Sequence, residues 1–181
     1  MKKIISGALV TSILAASAFA FSVDGNPSVK FVGYKLANKT AVEGTFKDLG
    51  FKSAENANFA DFLKTFEFNI DPKNIDTKLP DRDKRIGMIF DSNTIMAKIV
   101  SVSGDEKAGE AEVEVGIKGN SKTYKTQYTV EGGKLKAKIA LDLVADLKLD
   151  ETFAKFAASA KPFHGGKSYP DVEISLEAKI K

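Results

Sequence analysis

Residues 110–118 read EAEVEVGIK, residues 134–143 read KLKAKIALDL and residues 171–181 read DVEISLEAKIK. Side chains on a strand point to alternate faces, so each run has one apolar face and one charged face. Runs of this kind predict a sheet with a dry side and a wet side. A large antiparallel sheet so patterned tends to close into a barrel, which removes its exposed edges. A barrel lined by its dry side is a container for something apolar.

Working outward, residues 29–35, 39–46, 66–70, 94–102 and 122–130 read as further strands. The last places Tyr124, Tyr128 and Val130 on one face. Residues 94–102 are apolar on both faces, which predicts a strand covered by a helix or loop. Residues 104–109 read as a charged hairpin loop, and Gly119-Asn120 and Gly132-Gly133 as tight turns.

Short helices are predicted between strands. Asn58 can cap one in which Phe59, Phe62 and Leu63 share a face. Residues 81–90 read as a second, capped by Asp81 or Asp83, with Ile86, Ile89 and Phe90 on one face. Gly87 weakens it by about 1 kcal/mol of helix propensity. Asp150 caps a third, in which Phe153, Phe156, Ala157 and Ala160 line one side. The fold class is therefore all-β: an eight-stranded antiparallel lipocalin-like barrel with two or three short helices in its connections. Eight strands enclose an interior that side chains fill or that holds one small ligand.

The N-terminus reads as a leader. Lys2 and Lys3 precede an uncharged apolar stretch from Ile4 to Ala16, and Ala18-Phe19-Ala20 has the form of a cleavage site. The apolar run is short for a bilayer span. Residues 1–20 are expected to be a signal peptide and residues 21–181 one domain, exported to the periplasm of a bacterium. Without the leader the chain keeps 25 basic and 24 acidic residues, so the formal charge drops from +3 to +1. Interspersed charges of both signs describe a solvated surface and not a nucleic-acid footprint.

The order of several segments resembles the YceI-like family. They are Val29-Lys30-Phe31-Val32-Gly33-Tyr34-Lys35, then Val42-Glu43-Gly44-Thr45-Phe46, then Ile75-Asp76-Thr77 leading to Arg82-Asp83, Ile86 and Phe90. Ile117-Lys118-Gly119-Asn120-Ser121-Lys122 and the closing Asp171-Val172-Glu173-Ile174-Ser175-Leu176 extend the match over nearly all of the chain after the leader. The resemblance implies a periplasmic barrel around a long apolar chain, a polyisoprenoid or a fatty amide. It also makes a homodimer plausible. The chain departs from many relatives in its single His, its lack of Trp, and Asp81 ahead of the Arg-Asp pair.

Residue chemistry excludes much else. With no Cys there is no thiol nucleophile or thiolate metal site. One His rules out two-His metal sites. His164, Ser168 and Asp171 exist, but there is no G-x-S-x-G elbow, and His164 in its Gly-rich loop reads as a pocket-mouth residue. No cofactor, metal or enzymatic step is expected. Asp81, Arg82, Asp83 and Arg85 read first as helix capping with a solvated ion pair, and otherwise as a clamp for a polar headgroup. Phe31, Tyr34, Phe46, Phe66, Phe68, Ile86, Ile89, Phe90, Phe153, Phe156 and Phe163 are the candidate lining of an apolar tunnel. Each taken singly reads better as ordinary core, and the tunnel reading gains only from the set. Arg82, Tyr128, His164 and Tyr169 are the candidate rim. Two other readings compete: a structural or stress-related barrel filled by its own side chains, and an outer-membrane barrel, which the missing Trp girdles disfavour. A lipid hydrolase is a more distant alternative.

Overall fold

A computed structural model describes residues 20–90 and 93–181. The expected leader, apart from Ala20, lies outside the described residues. The element order is β1 (Ser28–Lys35), β2 (Thr40–Phe46), α1 (Phe59–Lys64), β3 (Glu67–Ile70), β4 (Ile75–Asp76), α2 (Pro80–Ile89), β5 (Ile95–Gly104), β6 (Ala108–Ile117), β7 (Asn120–Glu131), β8 (Lys134–Asp142), α3 (Asp150–Ala160) and β9 (Ser168–Lys179). Every pairing is antiparallel, in one curled nine-stranded sheet of order β3-β5-β6-β7-β8-β9-β1-β2-β4. The ninth strand is β4, a two-residue piece that pairs Ile75 with Phe46 and Asp76 with Thr45. It is too short for period-two alternation to reveal it.

The two ends of this order, β3 and β4, do not pair with each other. The chain leaving β2 joins them instead. Lys47 N donates to the Asn74 carbonyl at 2.7 Å, Asn69 N donates to the Leu49 carbonyl at 3.1 Å, and Lys52 and Glu67 exchange backbone hydrogen bonds. Gly50 makes this crossing possible, with φ of +51° and no Cβ, which would lie 2.3 Å from the Asn69 carbonyl oxygen. The half-barrel is thereby stitched along its open side.

Tight turns set the strand registers. Lys118 and Gly119 both have positive φ, as do Gly132 and Gly133, which is the two-residue hairpin geometry whose twist matches the flanking strands. The first turn is thus Lys118-Gly119, one residue ahead of the predicted Gly119-Asn120. β7 pairs with β8 only from Tyr128↔Ala137 to Glu131↔Lys134. Beyond that the strands part, and the segment 143–149 enters with Leu147 and Leu149 buried. Asp146 ties it to the sheet, accepting from Lys122, from the Tyr124 hydroxyl at 3.1 Å and from Asp142 N at 3.0 Å.

Helix ends follow from local chemistry. Asn58 caps α1, its Oδ1 accepting from Asp61 N at 2.9 Å, and α1 packs on β5, giving the two-faced strand its cover. α2 departs from expectation. Its N-cap is Leu79, which has no side-chain acceptor, and Pro80 opens the helix, where a missing N–H costs nothing. Asp150 likewise starts α3 without capping it.

The two ends of the barrel differ. One is solid. Phe62 and Phe66 are fully buried there, with Phe59, Leu63, Phe68, Tyr128 and Leu135 around them. Phe21 closes over this end, its ring 5.0 Å from that of Phe59. The charged faces of the strands point outward and pair across the ladder, as in Lys98–Glu114 and Lys134–Glu177. Among the described residues, no helix is long and apolar enough to cross a membrane.

Candidate functional site

The other end is hollow. The inner faces of β1, β2, β6, β8 and β9, with α2 and α3 laid across them, enclose a cavity of about 670 Å³. This lies within the range of small-molecule sites, roughly 300–1,000 Å³. Its walls are the apolar alternates of the strands: Val42, Val115, Ile117, Leu141, Val172 and Ile174. Val172 and Ile174 stay half-buried although they face inward, because the space before them is empty. Val115, Ile117, Leu141 and Leu147 also belong to the smaller of the two core clusters. Ile86 of α2, Phe90 at its C-cap, and Phe153 and Phe156 of α3 form the opposite wall.

Of the sequence-derived candidates, Phe31, Tyr34, Phe46, Ile86, Phe90, Phe153, Phe156 and Phe163 face the cavity, as do Arg82, His164 and Tyr169. Four candidates are elsewhere. Phe66 and Phe68 belong to the solid end, where Phe51 packs 5.2 and 4.9 Å from their rings. Tyr128 is buried in the same cluster and spends its hydroxyl on the Asp105 carbonyl at 2.8 Å. It fastens a hairpin and is not a rim residue. Ile89 does not border the cavity. Sequence reasoning missed Ile75, Leu79 and Lys35 at this site, as well as the strand residues, whereas it named Arg85 only as part of a headgroup clamp. The strand residues were available from their alternation.

The rim is polar, and its groups are unequally committed. Asp83 caps no helix end. Its Oδ1 accepts from Thr77 N at 2.9 Å and from the Thr77 hydroxyl. Arg82 donates from Nε to Thr77 Oγ1 at 2.7 Å and from Nη2 to the Thr77 carbonyl at 2.6 Å. The acidic-basic cluster therefore locks the start of α2 to the end of β4, at buried Thr77. The Tyr34 hydroxyl donates to Glu173, which raises the phenol above its ordinary range. The Tyr169 hydroxyl reaches the Ala37 carbonyl at 3.4 Å, with Lys39 Nζ 4.8 Å from its ring centre.

His164 is 9% exposed. Its Nδ1 lies 2.7 Å from Ser168 Oγ, and its ring is 5.8 Å from that of Phe156. Burial holds its pKa below the ordinary value, and the charges of Lys35, Arg82 and Arg85 push the same way. The fold accordingly favours the neutral imidazole over its cation. Asp171 ion-pairs with Lys39 at 3.2 Å.

The model of the YceI-like domain matches residues 19–180. Among solved structures, the chain is similar to BcnA of Burkholderia cenocepacia, with 13% identity, a TM-score of 0.61, and 88% of this chain and 99% of that one covered. It is also similar to a mutant CJ YCEI protein, with 13% identity, a TM-score of 0.53, and 78% and 86% of the two chains covered. At these identities the likeness is one of fold. No curated protein matches the chain.

Proposed function

This chain belongs to the YceI-like family, and from that premise we propose that it binds a long-chain apolar ligand in the hollow end of its barrel. The ligand class is a polyisoprenoid or a fatty amide, and the role is to carry or sequester it in the periplasm without a chemical step. The observation that carries this reading is the hollow itself. The solid end shows that this sequence can fill a barrel with phenylalanine, yet about 670 Å³ beside Ile174 and Phe156 is left open.

Binding would draw on burial of apolar surface, about 25 cal/mol per Å² removed from water, less the cost of immobilising the chain. The competing reading of a barrel filled by its own side chains fits only the solid end. The outer-membrane reading needs apolar residues outside, whereas the ladder charges are outside and the apolar alternates inside. The leader motif at Ala18-Phe19-Ala20 supports export.

The deciding experiment is mass spectrometry of an organic extract from the protein purified from the periplasm without detergent. A stoichiometric isoprenoid or fatty amide is expected. An empty extract, with a thermal midpoint unmoved by a panel of such lipids, would overturn the reading.

A further inference from the structure

Three cations face the mouth of the cavity: Lys35 at the end of β1, and Arg82 and Arg85 on the first turns of α2. Elsewhere on the barrel, lysines on the strands sit opposite carboxylates, as Lys98 does with Glu114. Lys35 and Arg85 have no carboxylate within ion-pair reach among the described residues. Among the described residues, Asp81 is the single acid bordering the cavity. Asp83 is held by Thr77 and Asp76 by Lys78.

The neutral polar groups of the rim are already used. Tyr34 donates to Glu173, Tyr169 to Ala37, and Thr77 is shared between Arg82 and Asp83. Arg85 is placed at the opening, its guanidinium 4.6 Å over the ring of Phe163, which is 58% exposed. Lys35, Arg82, Arg85 and His164 all line this one cavity, and the three charges act on the His164 ring. Half-buried cations without partners are costly, and a buried or bidentate anion is the partner that repays them best.

We propose that the cavity selects an amphiphile whose headgroup is an anion, a carboxylate or a phosphate monoester, held by Lys35, Arg82 and Arg85 while the chain lies among Ile174, Phe153 and Phe156. This rests on the apolar-chain part of the reading above and puts an anionic head in place of the neutral amide.

The test is calorimetric titration of the protein, extracted of lipid, at pH 7.5. The probes are tetradecanoate, tetradecyl phosphate, tetradecanamide and tetradecanol below their aggregation limits, with acetate and inorganic phosphate as headgroups alone. One charged head is expected to bind about tenfold or more tighter than the amide and alcohol, in line with the strength of charge-assisted hydrogen bonds. Which of the two wins assigns carboxylate or phosphate. Arg85→Gln and Lys35→Gln should each lose about fivefold for the charged head and leave the amide unchanged. Lys98→Gln, on the outer face, controls for net charge and should change neither. Equal affinity for charged and neutral heads would overturn the anionic headgroup and leave the apolar-ligand reading standing. No binding by any chain would overturn both. Acetate or phosphate alone binding as tightly as the full amphiphile would also overturn the proposal, since the chain would then add nothing.

Discussion

The ring of Phe31 lies over Gly44. The two residues are direct partners across β1 and β2, and a Cβ at position 44 would come within 2.2 Å of Phe31 Cζ and 2.6 Å of Cε1. An aromatic ring laid against a strand glycine occupies the face that the glycine leaves bare. Here it draws Phe31 back toward the sheet, 5.4 Å from the ring of Phe46, and away from the centre of the hollow. The glycine thereby helps to set how wide the cavity is.

Gly44→Ala is expected to fold, because the atoms met first are the far end of a side chain that can turn. The turn moves the Phe31 ring into the cavity. Overpacking of this kind costs about 1–3 kcal/mol. The protein should lose affinity for the longest chains it takes and keep affinity for short ones. Urea melts and a chain-length series measure the two effects. Unchanged affinity at every length would refute the part assigned to Gly44.

Chain length offers a second test. Each buried methylene contributes about 0.8 kcal/mol, so lengthening a ligand by two carbons should tighten binding by roughly fifteenfold. The gain should stop abruptly once the cavity is full. A series with one headgroup and stepped chains shows the plateau. A flat series from the shortest chain would mean that the hollow does not hold the chain.

The solid and hollow ends predict opposite mutational signatures. Phe62 is fully buried and packs on Phe66 and Phe21. Phe62→Ala should cost about 3–5 kcal/mol without altering which chain lengths bind. Phe156 is half-buried at the hollow wall, so Phe156→Ala removes fewer contacts. It should cost under about 2 kcal/mol and shift the chain-length plateau upward. Chemical denaturation paired with ligand titration separates the two.

The sheet was legible because alternation is local. The runs at 110–118, 134–143 and 171–181 became β6, β8 and β9, and their apolar alternates Val115, Leu141 and Ile174 face inward. Alternation does not say which end of a barrel is filled. Phe66 and Phe68 carry the same pattern as Ile174, yet they fall at the end that Phe21, Phe51 and Phe62 fill from distant parts of the chain. Tyr128 and Tyr124 share a face of β7, but β7 runs from one core cluster to the other and separates them. The rim was harder still. Asp83 has the sequence signature of a helix cap, and only the return of Thr77 beside it turns that carboxylate to another use.

His164 supplies the final prediction, and it concerns pH. It is the chain's single histidine, and the folded protein holds its pKa below the ordinary 6.5 through burial and then through Lys35, Arg82 and Arg85. Between the folded pKa and 6.5 the unfolded chain binds more protons than the folded one, so stability rises with pH across that window. Acidification below about 6.5 should therefore destabilise the protein, and the loss should level off once the folded imidazole is itself protonated. His164→Gln removes the titrating group and should flatten the dependence while keeping a polar partner for Ser168. Urea midpoints measured from pH 5 to 8 decide the matter. A wild-type profile as flat as that of the variant would show that His164 is not held neutral beside the cations of the rim.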